Sequence, residues 1–348
     1  MKVLVAERLS EAGIERLREH VEVDVRLKLS HEELLEAIAP YDALIVRSAT
    51  QVDADVLERA ENLKIVGRAG IGLDNVDVDA ATRHGVLVVN APQSNVLSAA
   101  EHTMALLLAQ ARNVPQAHHA LVGGAWEREK WQGVELHGKT LGIVGLGRVG
   151  TLVAQRASAF GMRLIAFDPY VSPARAGQMG VELYENVADV CRRSDFVTIH
   201  LPKTPETVGI IGTREIEQMK PGARVVNTSR GGLIDEAALV EALKAGRLGG
   251  AALDVFDGEP VTSHSLFDFP NVVVTPHLGA STAEAQDKAG IAIAEQILLA
   301  ARGEFVPYAV NVEVGSDIPE AVRPYLQLAD RLGRVAVALA GAGIESLR

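Results

Sequence analysis

Of its 348 residues the chain has one cysteine, Cys191. No intrachain disulfide framework is available, so a reducing, cytoplasmic setting is expected. Cys191 ends a helix-like segment beside Arg192 and Arg193, and no role is assigned to it. Aromatics make up only 4% of the sequence, which leaves the core to Val, Ile, Leu and Ala. No apolar run approaches the ~20 residues of a membrane-spanning helix. The N-terminal run ends at once in Glu7 and Arg8, unlike the apolar region of a secretory signal. An excess of positive charge is missing too. The 34 Lys and Arg stand against 45 Asp and Glu, a net charge of −11, so no global field draws the chain to nucleic acid or anionic lipid. An anionic ligand would need a locally basic pocket.

The residues present describe a soluble α/β protein, 48% apolar and 23% charged, with 32 glycines. From the start, β-rich runs alternate with helical patterns. Residues 2–6 and 21–27 read as strands and 10–20 as a helix. Residues 30–38 read as a second helix, with Ser30 and Glu33 in capping-box spacing. The short, nearly all-apolar runs at 43–46, 63–66 and 86–89 suit strands covered on both faces of a parallel sheet. A long helix at 94–112 is expected to cross to a second α/β series, whose strands fall at 140–144, 163–167, 196–200, 224–227, 250–253 and 272–275. A last long helix, 282–301, is expected to return to the first series. The fold class is therefore α/β, with two doubly wound, Rossmann-like or flavodoxin-like parallel-sheet domains and a cleft between them. Residues 1–93 plus 282–311 form the first domain and 94–281 the second. Residues 312–348 are expected to form a linker and a helix, the start of a further regulatory domain, with an apolar stripe at Leu328, Leu332, Val335 and Leu339.

The run from Leu141 to Gly150 reads as strand, glycine-rich turn and helix start. Gly145-x-Gly147-x-x-Gly150 fits a dinucleotide-binding turn: the first glycine for the bend, the second for backbone approach to a pyrophosphate, the third for helix–strand packing. The phosphates would then lie at the positive end of the helix dipole. The next strand ends in Asp168, 18 residues after Gly150. A carboxylate there accepts from the adenosine ribose hydroxyls and repels a 2′-phosphate, so the expected cofactor is NAD and not NADP.

Three later segments each carry a chemically capable residue at a strand end: Arg230 after Asn227-Thr228-Ser229, Glu259 after Asp254-Val255-Phe256, and His277 after Thr275-Pro276. Oxidising a 2-hydroxy acid needs a base for the hydroxyl proton, a cation for the carboxylate and a nicotinamide. Imidazole suits the first task, because its intrinsic pKa lies near neutrality. A planar guanidinium fork suits the second. Glu259 can bond the far nitrogen of His277 and fix its tautomer. No metal-ligand set is assigned.

With the Gly145–Gly150 turn, these segments resemble the D-isomer-specific 2-hydroxyacid dehydrogenases. The resemblance runs from about residue 47 to residue 311. It includes Arg47-Ser48-Ala49-Thr50, the stretch from Val66 through Arg68-Ala69-Gly70-Ile71-Gly72 to Asp77, residues 95–101, residues 251–256 and residues 276–282. It implies that Arg230, Glu259 and His277 are the catalytic set. It places Asp254 near the nicotinamide amide, Thr228, Ser229, Gly279 and Ala280 at the cofactor, Arg148 and Val149 over the pyrophosphate, and Pro202 and Thr207 beside the adenine. The substrate it implies is a small anionic 2-hydroxy or 2-oxo acid, and among these 3-phosphoglycerate and 3-phosphohydroxypyruvate. Arg47, Arg68, Asn95 and Gln286 would approach that substrate, and the backbone amides of Gly70, Ile71 and Gly72 would bind its carboxylate. Arg128 and Lys130 would reach in from a neighbouring subunit of a homodimer or homotetramer. On the residues alone, the alternation of Glu127 and Glu129 with those two cations equally describes a solvated mixed-charge face.

Two other readings stand within the resemblance. A hydroxypyruvate or glyoxylate reductase would share the catalytic set and differ in the pocket cations. A corepressor-like module would use the fold as an NAD-responsive binding surface, but the sequence has no disordered tail or basic targeting cluster to support it. Long members of the family continue past the equivalent of residue 311 into further domains, often regulatory, and serine feedback through residues 312–348 is not expected.

Overall fold

The computed structural model describes residues 1–312 and isolated positions between 325 and 335. The chain divides into two compact units, Met1–Asn95 with Thr282–Arg348, and Val96–Ser281. In the first, β1 (Lys2–Val5), β2 (Glu22–Val25), β3 (Ala43–Val46), β4 (Ile65–Arg68) and β5 (Leu87–Asn90) form a parallel sheet in the order β2-β1-β3-β4-β5. All four residues of β3 are buried, as a strand covered on both faces requires. Ser30 and Glu33 close both halves of the capping box on helix His31–Ala37. The long helix Ala283–Ala301 buries Ala285, Ala289, Ile293 and Ile297, one residue per turn, and packs on β4, β5 and helix Glu11–Arg18. That helix pair crosses at glycine: a Cβ on Gly13 would stand 2.8 Å from the backbone of Gly290. Asn311 then ties the chain to β5, accepting from the Val88 amide and donating to the Val86 carbonyl.

The second unit holds β6 (Thr140–Val144), β7 (Arg163–Phe167), β8 (Val181–Leu183), β9 (Phe196–Ile199), β10 (Arg224–Asn227), β11 (Gly250–Leu253) and β12 (Val272–Val274). They form a parallel sheet in the order β12-β11-β10-β9-β6-β7-β8. Successive residues of each strand feed opposite faces. Val225 and Ala251 enter one core, and Val226 and Ala252 enter the other. Helix Val96–Ala111 belongs to this unit and packs on β10, β11, β12 and helix Arg148–Ala159. It starts at Val96, because the Ser94 hydroxyl bonds back to the Ala91 carbonyl and does not cap the helix.

The sequence pattern did not reveal the short helices Ala54–Arg59 and Val78–Arg83, although their caps Asp53 and Asp77 are present. It also did not reveal β8, which spans three residues with a glutamate at its centre. Among the described residues no helix is long and apolar enough to cross a membrane. The expected C-terminal linker and helix, including Leu339, lie mostly outside the described residues.

Candidate functional site

The strand order of the seven-stranded sheet reverses between β6 and β9, and in open α/β sheets ligands bind beyond the strand ends at such a point. The glycine turn stands there. Gly145 takes φ +98°, and a Cβ on it would lie 2.6 Å from the His200 carbonyl oxygen that follows β9. At Gly150 an added Cβ would lie 2.1 Å from the Gly145 carbonyl oxygen, so this glycine sets the packing of helix on strand. Gly147 differs, because its Cβ would meet nothing within 4 Å. The protein leaves that space open. Helix Arg148–Ala159 also starts at a glycine, which offers no side-chain cap, and a helix N-terminus of this kind suits an anion.

Asp168 ends β7. Its Oδ2 accepts from the Leu146 amide at 2.8 Å and its Oδ1 from the Tyr170 amide at 2.9 Å. Each carboxylate oxygen retains acceptor capacity, so Asp168 pins the turn and can still receive ribose hydroxyls. An open cradle, uncapped amides and a fixed carboxylate fit a dinucleotide. Arg148 is exposed and Val149 half-buried at the head of the same helix. The Thr207 hydroxyl donates to the Pro202 carbonyl at 2.7 Å, so this residue shapes the 202–207 turn from within. The adjoining His200 imidazole is pushed down to about 4 by burial and is neutral. Burial likewise pushes the Cys191 thiol up to about 12, consistent with an inert core residue.

The loops after β10, β11 and β12 meet on the same sheet edge. Asn227, buried at the end of β10, staples the first loop: its amide donates to the Arg230 carbonyl at 2.8 Å and its oxygen accepts from the Ser229 amide at 3.0 Å. Thr228 turns its hydroxyl into the core, 2.6 Å from that of Thr103. Gly231 packs so tightly on the Phe256 backbone that a Cβ would overlap it, at 1.9 Å. The Arg230 loop is thereby fixed against the loop that carries Glu259.

His277 and Glu259 form the pair expected of them, Nδ1 to Oε2 at 2.6 Å. A carboxylate only accepts, so Nδ1 carries the proton and Nε2 presents its lone pair, with no protein partner among the described residues. The other Glu259 oxygen accepts from the Phe256 amide at 2.9 Å. Burial alone would raise the Glu259 carboxyl, but the bonds from His277 and Phe256 outweigh it and hold the group below its ordinary range. His277 itself stands at φ +54°, a left-handed conformation that costs a non-glycine residue about 1 kcal/mol or more.

Asp254 holds that strain in place. The residue is fully buried, and its carbonyl accepts from the His277 amide at 2.8 Å. Its Oδ1 accepts from the Thr275 hydroxyl at 2.6 Å and the Leu278 amide at 2.7 Å, and its Oδ2 accepts from the Gly279 amide at 2.8 Å. His102 Nε2 lies 3.2 Å from Oδ1. Here too burial would raise the carboxyl, and the bonds from His102, Thr275 and Leu278 overcome it and lower it. The structure gives Asp254 an anchoring duty in the loop that carries His277, with Gly279 held by it and Ala280 next in the chain. Asn227 lies in the quoted Arg230 segment but its stapling role was not legible there, and His102 carried no signal, since only folding brings it to these loops.

The expected substrate residues of the first unit follow β3, β4 and β5, apart from Gln286, which is half-buried on helix Ala283–Ala301. Arg47 follows β3, and Arg68 ends β4 with its guanidinium lying against Gly70, where an added Cβ would stand 1.7 Å from it. The Gly70 amide is bonded to the Arg68 carbonyl at 2.8 Å. That leaves the Ile71 and Gly72 amides, which take no partner among the described residues. The loop is shaped by Asn75, whose amide donates to the Arg47 and Thr50 carbonyls, and by Asn90, which donates to the Ile71 carbonyl. Asn95 is half-buried, the last residue of the first segment. In the second unit Arg128 is exposed, and the Lys130 ammonium pairs locally with Glu127 at 3.1 Å and sits over the Trp131 ring.

Residues 104–279 match the family profile described as D-isomer specific 2-hydroxyacid dehydrogenase, NAD binding domain. The chain belongs to the D-isomer-specific 2-hydroxyacid dehydrogenases. Its second unit is the NAD-binding domain of that family, and the cradle at Gly147 is where this dehydrogenase chain would hold the dinucleotide. The D-3-phosphoglycerate dehydrogenase of Mycobacterium tuberculosis is 55% identical over 334 residues, which cover 96% of this chain and 63% of that protein. The enzyme of the same name from Methanocaldococcus jannaschii is 50% identical, over 96% of this chain and 64% of that one. The chain thus spans about 63% of the length of such curated relatives. Among solved structures, the TT0316 protein from Thermus thermophilus superposes with TM-score 0.83 at 37% identity, covering 89% of this chain and all (100%) of that one. A glyoxylate reductase from Paecilomyes thermophila superposes with TM-score 0.80 at 29% identity, over 89% of this chain and 98% of that one.

Proposed function

We propose that the chain catalyses the reversible, NAD-dependent oxidation of 3-phosphoglycerate to 3-phosphohydroxypyruvate, the first step of phosphorylated serine synthesis. The His277–Glu259 pair on the ligand-binding edge of an NAD-binding domain carries the chemistry. The shared name of relatives at 50–55% identity supports the substrate. When bound, NAD supplies the hydride acceptor. Ionised Glu259 keeps the proton on Nδ1, so Nε2 of His277 takes the proton of the substrate 2-hydroxyl, and Glu259 then stabilises the imidazolium. Arg230 offers its guanidinium fork to the carboxylate, and the Ile71 and Gly72 amides add donors to it. Gly70 leaves this set, because its amide is already bonded. Arg47, Arg68, Asn95 and Gln286 are the donors proposed for the phosphate end. Asp254 and His102 keep the His277 loop in its left-handed turn.

The working form is proposed to be a homo-oligomer. Helix Val114–Val122 buries none of its residues, and it exposes Val114, Leu121 and Val122, with Trp126 80% exposed just beyond. Burying that face against a second copy would bring Arg128 and Lys130 to a neighbour, which sedimentation of the wild type and a Leu121→Asp variant tests. The activity is tested by NADH absorbance with phosphohydroxypyruvate, hydroxypyruvate, glyoxylate and 2-oxoglutarate in parallel. A strong preference for phosphohydroxypyruvate supports the proposal. Faster turnover of an unphosphorylated acid keeps the dehydrogenase and refutes the phosphate assignment, making the reductase reading the better one.

A further inference from the structure

The five-stranded sheet has its own reversal of strand order, between β1 and β3, and a cavity of about 720 Å³ opens there. Its walls come from the chain just after β1, β2 and β3. Leu34 and Ala6 give it an apolar floor, and Arg8, Lys28 and Arg47 line its polar side. None of these three cations has a carboxylate partner among the described residues.

Both acids at the cavity are engaged elsewhere. The Glu7 carboxylate accepts from the amides of Arg47, Ala49 and Thr50 at 2.8, 3.3 and 2.9 Å, which fixes the loop that presents Arg47. Asp53 accepts from the Val56 amide at 3.1 Å and lies 3.5 Å from His31. Neither acid is ion-paired with Arg8, Lys28 or Arg47, and three cations against two carboxylates leave the lining with a net positive charge.

Lys28 adds a second, independent observation. Three described non-glycine residues have left-handed backbones: Lys28 at φ +63°, Asn113 at φ +51° and His277 at φ +54°. Asparagine tolerates that region, and His277 is in the catalytic set. Lysine has no such excuse, and strain of this kind persists where surrounding structure holds it, often at ligand sites. Here it falls on a cation that lines the cavity.

We propose that this pocket is a second anion site, which binds a compact polyanion carrying phosphate or several carboxylates through Arg8, Lys28 and Arg47. A cavity at a switch point, lined by apolar side chains and three cations, is what such a ligand requires. The pocket stands whether or not the proposed substrate is right. It touches that reading only at Arg47, so the anion is either the phosphate of the substrate itself or a separate small molecule.

The test is calorimetric titration of inorganic pyrophosphate into the NADH-saturated chain, which keeps the dinucleotide cradle filled. Wild type is expected to bind one equivalent. The Arg8→Gln/Lys28→Gln double variant should weaken that binding tenfold or more, whereas Arg230→Gln should leave it unchanged. Lys28→Gly, which relieves the backbone while removing the charge, should also weaken binding and separates charge from misfolding. Unaltered affinity in both the double variant and Lys28→Gly overturns the proposal, and so does loss of binding in Arg230→Gln alone. Kinetics then identify the source. A rise in KM for phosphohydroxypyruvate but not for hydroxypyruvate in the Arg8→Gln/Lys28→Gln variant assigns the pocket to the substrate phosphate and overturns a second site. Unchanged KM values for both acids, with pyrophosphate binding weakened, assign it to a separate anion.

Discussion

The two sheets are built by the same rules and finished in different ways. Both are wholly parallel and doubly wound, and each reverses its strand order once. At the β6/β9 reversal the chain retreats: glycines replace side chains, the following helix is left uncapped, and the opening at Gly147 is backbone-lined. At the β1/β3 reversal the chain advances, with Arg8, Lys28 and Arg47 lining the opening and Glu7 locking the loop beneath them. A flat, extended ligand such as a dinucleotide needs close backbone approach. A compact, highly charged one needs side-chain donors. The topology creates the two openings, and the local sequence decides what each will hold.

The largest effect is expected where chemistry, and not fold, is removed. His277→Ala should lower turnover by about 10²–10⁴-fold, the usual worth of a positioned general base, with NAD affinity nearly intact. Steady-state rates beside a fluorescence titration read both, and equal losses of the two would refute the role of His277.

Next come the glycines of the second sheet. Gly150→Ala drives a methyl into the Gly145 carbonyl oxygen and should cost about 1–3 kcal/mol or more in a denaturant melt. Gly147→Ala meets no protein atom within 4 Å. It should melt like wild type and yet lose NAD affinity, because only the ligand occupies that space. A lowered melting temperature for Gly147→Ala would break the contrast drawn between the two openings.

A pH effect of similar size is expected from the same unit. Desolvation of its ring pushes the half-buried His200 down to about 4, against ~6.5 in an unfolded chain. Below about pH 6.5 the unfolded state therefore binds a proton that the folded state refuses, and stability should fall between about pH 6.5 and 4, by up to roughly 3 kcal/mol. His200→Gln should flatten that window in urea melts. The depressed carboxyls of Asp254 and Glu259 act lower down. Their contribution is present above an unfolded pKa of about 4 and fades as the pH falls through their lower folded values.

The smallest effect belongs to the first sheet. Glu7→Gln keeps one carbonyl oxygen for the loop but loses the charge and one acceptor, at a cost of about 1–2 kcal/mol. NAD affinity should not change. If it did, the two openings would not be independent in the way their separate sheets imply.

Much of this was legible before folding. The strands at Thr140–Val144, Arg163–Phe167, Arg224–Asn227 and Gly250–Leu253 fall where the apolar runs placed them, because a strand buried on both faces must be apolar at nearly every position. The glycine turn, Asp168 and the His277–Glu259 pair were legible as well, since each lies in a short contiguous stretch whose chemistry admits few uses. Short elements such as β8 were not, because three residues carry too little pattern.

The amino-acid sequence by itself determined the α/β class and the dinucleotide turn, and it singled out His277, Glu259 and Arg230 as the residues proposed for base, acid partner and guanidinium. These depend on local spacing and on the chemistry of single side chains. Only the tertiary structure decided which groups support them. His102 is remote from Asp254 along the chain and 3.2 Å from it in space, and Asp254 in turn holds the left-handed His277. It also showed that the Gly70 amide is already bonded and that Thr228 faces Thr103. Arg8, Lys28 and Arg47 meet for the same reason: adjacent parallel strands end together, and residues far apart in sequence must share the edge where they end.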